Sequence, residues 1–197
     1  MQLIADDSNA FLRFDETVLV NGAIKAKTES LVAGLSGNQA RAKTLFEWVR
    51  DHIPHSKDAG EERVTCTAIE AFERGTGICF AKSHLLAAML RHIGIPAGFC
   101  YQVFENPQNP DDGFRTLHGL NAVFITETAS WHRIDPRGNR DDVHAKFSLE
   151  SESLAFPELD FLDSNIYAKP LEKVVKSLRE AKNVSTLWPE LPIASNG

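Results

Sequence analysis

The stretch from Ile78 to Ile93 limits the fold of this chain more than any other. Its middle, LLAAML, is apolar almost all round, and a helix with no wet face has to lie buried at the centre of a domain. Its boundaries fit a helix. Gly75 and Gly77 break the pattern before it, Thr76 stands where an N-cap belongs, Gly94 where a C′ glycine belongs, and Pro96 follows. A second helix is predicted over about Asn38 to Ile53, stopped by Pro54. There Leu45, Trp48, Val49 and Ile53 recur at helical spacing, and Arg41, Lys43, Glu47 and Arg50 take the wet side. Between the two, Thr67 to Arg74 has room for two helical turns, and HSKDAGEERV reads as a polar loop.

Beyond Pro96 the hydrophobic period changes to two, and AGFCYQVF, HGLNAVFI and SWHRID read as strands. The link from Glu105 to Thr116, with two prolines and a DG pair, reads as an exposed loop placed to wall or gate a cleft near His118. Weaker signals flank this centre. TVLV near the start and KFSLE after Ala145 look strand-like, and AIKAKTESLVAGL looks like a short helix. A helix from Pro170 to about Ala181 would turn Leu171, Val174, Val175 and Leu178 to one face. The tail NVSTLWPELPIASNG is expected to be irregular, with Leu187 and Trp188 docked on the core. Helices, then strands, then an appendage describe an α+β domain. We divide it into an N-terminal segment 1–37, a core 38–147 and a C-terminal extension 148–197 packed on that core.

Composition supports a core of this kind and narrows the function classes. Of 197 residues, 43% are hydrophobic and 24% charged, which suits one globular domain. The net charge of -6 comes with no Lys/Arg stripe, so nucleic acid is not an expected partner. No run approaches the roughly 20 apolar residues of a membrane span. The opening MQLIADDSNAFLRF lacks the basic-then-apolar pattern of a secretory leader. Three cysteines, Cys66, Cys79 and Cys100, are too few and too odd in number for a disulfide framework. A cytoplasmic protein is the expectation.

Cys79 falls in the first turn of the buried helix, where unpaired N–H groups and the positive dipole end favour a thiolate. By position alone it reads as a small core residue, as Cys66 and Cys100 do. The strands change that reading. His118 opens one strand and Asp135 closes the next across a short reversal. If Ile125 pairs with Ser130, Asp135 sits opposite Leu120, two residues from His118 on the same face; a two-residue slip would set it directly opposite His118. In either register the carboxylate can hold the imidazole in one tautomer and stabilise the imidazolium. Taken alone, a structural His–Asp contact explains the pair equally well. A cysteine at a helix start, followed by His and Asp on adjacent strands, matches a nucleophile, base and orienter.

The stretch AIEAFERGTGICFAKSHLLAAMLRHIGIPAGF resembles the nucleophile segment of the transglutaminase-like superfamily. ARAKTLFEWVRDHI is similar to the helix that precedes it in that family, and HGLNAVFI with WHRIDPRGN resembles the family's His and Asp strands. The likeness runs from about Asn38 to Asn139. It implies a papain-like α+β core, with a central Cys-bearing helix packed on an antiparallel sheet that carries His and Asp. It further implies Cys79 as nucleophile, His118 as general base and acid and Asp135 as orienter, attacking an amide or peptide carbonyl through a thioester without metal or cofactor. The Cys79 N–H would serve the oxyanion. Gln102 is a candidate second donor, though it reads first as a solvent-facing strand residue, and Trp131 reads first as core and second as cleft lining. Departures from the family pattern fall at Phe80, where eukaryotic members often have Trp; at Gly119 and Leu120, where His-Ala-Trp is common; and at Gly98, where Arg or another polar residue is frequent.

Other histidines fit the chemistry less well. His52 with His55, or Cys79 with His84, lack standard zinc spacing, which argues against a metal-dependent hydrolase. His84 and His92 are expected at the helix surface or end, and His132 alternates away from the face of Asp135. The leading expectation is a thiol hydrolase or acyl transferase for a peptide or amide, with water favoured over an amine as acceptor. The alternative is a non-catalytic peptide-binding or scaffold protein on the same fold. Substrate identity and oligomeric state are not legible.

Overall fold

The computed structural model describes residues 1–7, 9–105, 115–187 and 191. A five-stranded sheet runs in the order β1 (Gln2–Ile4), β5 (Asn165–Tyr167), β2 (Ala97–Glu105), β3 (Arg115–Ile125) and β4 (Ser130–Ile134). β1 and β5 run parallel, and the remaining pairs are antiparallel. Helix α4 (Cys79–His92) packs on β2 and β3, with α1 (Gly22–Val32), α2 (Asn38–His52) and α3 (Ala68–Arg74) around it. The architecture is α+β with a buried central helix, as the apolar run required. Every residue of α4 from Cys79 to Arg91 is buried.

Local chemistry explains the helix limits. Thr67 accepts from the Glu70 N–H while Glu70 accepts from the Thr67 N–H, a reciprocal cap for α3. Gly75 then closes α3 in the left-handed conformation. α4 is not capped by Thr76 as its position suggested. Ile78 is the N-cap, and the Thr76 hydroxyl instead donates to the Pro54 carbonyl and meets the Ser56 hydroxyl. That exchange ties the start of α4 to the segment leaving α2. Gly94, at φ +77°, follows α4, and the Ile95 N–H donates back to the Leu90 carbonyl.

The sheet divides the core. Leu117, Val123 and Ile125 pack with α4 in the main cluster, while Leu120 and Ala122 pack with Phe11, Leu154 and Ile166 in a second one. Two of the departures from the family pattern are accounted for by close approach. A Cβ at Gly98 would lie 2.5 Å from Ile166 Cγ2 and 2.9 Å from the Tyr167 carbonyl, so β5 sits where a side chain would go. A Cβ at Gly119 would lie 2.9 Å from Phe80 Cε1 and closer still to Cδ1. Phe80 and Gly119 are therefore a matched pair.

Several weak signals resolve differently. TVLV is not a strand; Asp15 accepts from the Thr17 N–H and hydroxyl and bends the chain there. KFSLE runs without strand pairing, its Lys146 N–H bonded to the Ser153 carbonyl. The last predicted helix begins two residues later than Pro170, as α5 (Glu172–Glu180). A short α6 (Val184–Leu187) follows where an irregular tail was expected, with Leu187 buried. Trp188 and most of the loop from Glu105 to Thr116 lie outside the described residues.

Candidate active site

β3 and β4 pair with Ile125 opposite Ser130 and Asn121 opposite Ile134, the first of the two registers considered. β4 ends one residue before Asp135, and there the His118 and Asp135 side chains meet. The His118 Nε2–H donates to Asp135 Oδ2 over 2.8 Å, with both side chains buried. Asp135 has two further donors: the Ala155 N–H at 3.1 Å on the same oxygen, and the Arg137 N–H at 3.0 Å on Oδ1. Burial acts to raise the Asp135 pKa, but the His118 charge and these hydrogen bonds outweigh it and hold the carboxyl below its ordinary value. A buried carboxylate with three donors is an acceptor fixed in place.

The opposite balance acts on the imidazole. Burial is the largest single influence on the His118 pKa and lowers it, but the Asp135 charge, the Cys79 sulfur and the hydrogen bond to Asp135 together raise it more, giving about 10. With Nε2 committed to Asp135, Nδ1 is the ring atom left to meet Cys79, whose sulfur acts on the imidazole. Cys79 occupies the first position of α4 and is 7% exposed, so its backbone N–H has no partner within the helix. Of the three residues singled out from the sequence, His118 and Asp135 are hydrogen-bonded, and the Cys79 sulfur acts on the same imidazole. Cys66 and Cys100 differ: burial pushes their thiols up to about 11 and about 12, which makes them inert core residues.

The other expected site residues lie elsewhere or face elsewhere. Gln102 pairs directly opposite His118, but it is buried, not solvent-facing. Its amide donates to the Phe156 and Leu159 carbonyls at 2.9 and 3.2 Å, which leaves no N–H for an oxyanion. Trp131 packs against Phe11 and Phe124 in the second cluster, well along β4 from Asp135. His84 is not at the helix surface. Its Nδ1–H donates to the Cys66 carbonyl at 2.6 Å, and burial lowers its pKa to about 4, so it is a neutral core histidine. His92 meets Glu29 at 2.9 Å. Among the described residues no three potential ligands gather into a metal site.

The structure also brings in residues that the sequence did not single out. Phe156 and Phe104 set their ring edges or faces against His118, at centroid distances of 5.0 and 6.0 Å. With Leu154 and Ala155 they line a cleft of about 550 Å³ beside the His–Asp pair, rimmed by Asp142 and His144. His55 lies buried next to Gly77, where the Ser56 N–H donates to the Gly77 carbonyl and the Gly77 N–H to the Pro54 carbonyl. Burial, then the charges of Arg137, Lys82 and His118, depress its pKa well below the ordinary histidine value. The Arg137 guanidinium grips Asp58 through two hydrogen bonds, of 2.5 and 3.1 Å, tying the Asp135 turn to the segment after α2.

The family model described as the transglutaminase-like superfamily matches residues 25–136, a span that contains Cys79, His118 and Asp135. No curated protein matches the chain in sequence. Among solved structures, a candidate cysteine protease from Cytophaga hutchinsonii aligns with a TM-score of 0.52 at 16% identity, over 68% of this chain and 43% of that one. The periplasmic domain of TgpA from Pseudomonas aeruginosa aligns with a TM-score of 0.47 at 20% identity, over 66% and 47%. The chain spans less than half the length of these structures, and the likeness to the first is one of fold.

Proposed function

The chain belongs to the transglutaminase-like superfamily, and from that premise we propose that it is a thiol hydrolase of amide or peptide bonds. Membership supports cysteine-based hydrolase or transferase chemistry at the level of the family. The observation that carries the finer reading is the buried His118–Asp135 hydrogen bond of 2.8 Å, with the Cys79 sulfur close enough to raise the pKa of the same imidazole. In this reading the Cys79 thiolate attacks the carbonyl carbon, and the Cys79 N–H receives the developing oxyanion. The imidazolium then gives its proton to the leaving nitrogen as the C–N bond breaks, leaving a thioester. Water attacks the thioester, His118 takes its proton, and the C–S bond breaks to release the acid. Water is favoured as acceptor because it needs no binding site of its own, whereas an amine must be held in place.

The three cysteines, all free and buried, support a reducing compartment, which we take to be the cytoplasm. No helix among the described residues is long and apolar enough to cross a membrane.

Alkylation of Cys79 by iodoacetamide, followed against pH in the wild-type chain and in His118→Ala, tests the proposal. Cys79 should label faster than a free thiol near neutral pH, and His118→Ala should remove the advantage. Equal rates in the two proteins would overturn the assignment. The low exposure of Cys79 and His118 favours a second reading, a non-catalytic binding protein on the same fold. A Cys79 closed to every thiol probe, in a protein that captures a peptide partner, would decide for it.

A further inference from the structure

One buried group beside the Cys79–His118–Asp135 set has no part in the mechanism above. Lys82 lies three residues after Cys79 on α4, and positions i and i+3 are neighbours on a helix surface. It is fully buried, 0% exposed, in a helix whose other buried side chains are mostly apolar. Long side chains on a helix lean back toward its N-terminus, which carries the ammonium toward the turn that holds Cys79. There Nζ donates to the Arg50 carbonyl at 3.1 Å and to the Ile53 carbonyl, at the C-terminal end of α2. These carbonyls carry the negative end of that helix dipole. The nitrogen also lies against Gly138, three residues beyond Asp135. A Cβ built there would stand 3.3 Å from Nζ, and Gly138 is held at φ +107°.

One ammonium therefore bonds the helix that carries Cys79 to the end of α2 and lies against the turn that carries Asp135. Charged and titratable groups face it from each of them. Asp51 belongs to α2, His55 and Asp58 to the segment after it, and Asp135 and Arg137 to the turn. Burial lowers the Lys82 pKa to about 7, and Asp135 is the largest influence opposing it. Transferring a lysine this deep without a role in the fold or the chemistry would be unfavourable, since a hydrophobic residue would pack there more readily.

We propose that Lys82 is a positioning residue for the candidate active site, a buried cation that clamps the Asp135 turn to the Cys79 helix and favours the anionic state of the site. The proposal rests on the reading of Cys79, His118 and Asp135 as the reacting set. It makes an asymmetric demand on pH dependence. Below about pH 7 Lys82 is charged, and removing that charge makes each nearby anion harder to form. Near pH 10, where His118 loses its proton, Lys82 is already neutral and its removal changes little.

The test is the pH profile of Cys79 alkylation in the full chain, with the labelled peptide identified by mass. Lys82→Gln removes the charge and keeps an amide that can donate to the α2 carbonyls; Lys82→Arg keeps the charge. In Lys82→Gln the acidic limb should move to higher pH, with labelling roughly tenfold slower at a fixed pH on that limb. The alkaline limb should stay in place, and Lys82→Arg should restore the acidic limb. An unmoved acidic limb in a folded Lys82→Gln protein, even one with a lower melting temperature, would make Lys82 a structural residue and overturn the proposal. If Lys82→Gln does not fold, Lys82→Arg decides alone: a wild-type limb supports the proposal and a displaced one overturns it. A wild-type profile identical to that of His118→Ala would mean that the reacting set itself is misassigned, and the proposal would fall with it.

Discussion

Helix α4 buries a cation near each of its ends, and the two are held in opposite ways. Near the C-terminal end the Arg91 guanidinium donates to three backbone carbonyls, those of Ala97, Arg13 and Ala168, over 2.6 to 3.1 Å. Burial lowers its pKa only to about 10, so it stays charged across the physiological range. Its partners cannot titrate. They belong to the start of β2, the N-terminal segment and the chain leaving β5, which makes Arg91 a staple between the termini and the core. Near the N-terminal end Lys82 has two carbonyls and a ring of titratable neighbours, and His118 and Asp135 lie within that neighbourhood. One helix thus carries a pH-indifferent joint and a pH-sensitive one. The charge of Arg91 ends on fixed dipoles, and that of Lys82 lies among groups that exchange protons.

If that division is right, disturbing Asp135 should alter chemistry far more than stability. Asp135→Asn keeps the shape but removes the charge that supports the imidazolium, and an amide cannot accept from all three donors now shared by the carboxylate. The expected loss in turnover, or in the His118-dependent part of Cys79 labelling, is about 10²- to 10⁴-fold. Stability should respond through pH. His118 is raised from 6.5 to about 10 in the folded chain, so its contribution is complete below about pH 6.5 and is lost as pH rises toward 10. Asp135 is depressed, so its contribution holds above its unfolded value and is lost as pH falls. Wild-type melting temperature should therefore decline between pH 7 and 10 more steeply than that of Asp135→Asn. Parallel curves would show that the pair is not ionised as described.

The converse experiment is Arg91→Met. It leaves the carbonyls of Arg13, Ala97 and Ala168 without their buried donor, and a loss of about 1–3 kcal/mol in unfolding free energy for each carbonyl that stays unsatisfied is expected. Denaturant unfolding measures it. The acidic limb of Cys79 labelling should not move, because no titratable group of the site meets Arg91. A shifted limb would erase the distinction between the two ends.

The centre of the molecule was legible because it is written in hydrophobic period. The all-round apolar run placed α4, alternation placed β2, β3 and β4, and the short reversal before Ser130 set the register that brings Asp135 beside His118. The parts that escaped are those with no period to read. β1 and β5 have three residues each, and a run that short carries no alternation signal. Ala155 joins the site through a backbone N–H that any residue could offer, so its side chain announces nothing. Gln102 lies on a strand but is buried where strand alternation reads it as solvent-facing, because the carbonyls that take up its amide come from a distant segment. Lys82 and His84 did leave a trace. In a helix with no wet face, a polar residue has no surface to occupy, and each had to find a buried partner. That argument was available from the apolar run alone and would have placed His84 inside.

The smallest expected effect concerns the contact between α4 and β3 just beyond Cys79 and His118. Phe80 follows Cys79, Gly119 follows His118, and the ring of one lies where a Cβ of the other would go. Gly119→Ala must push Phe80, which is 1% exposed and packs toward Tyr101, out of its place. Overpacking of this kind should lower stability by about 1–3 kcal/mol. Because the two residues adjoin Cys79 and His118, Cys79 labelling should slow as well. In a Phe80→Leu background the same substitution meets a smaller side chain, so its destabilisation should fall by about half or more, a coupling of the size contacting residues show. Additive effects in the double variant would mean that the two positions do not share this space, and that the departures at 80 and 119 from the family pattern arose separately.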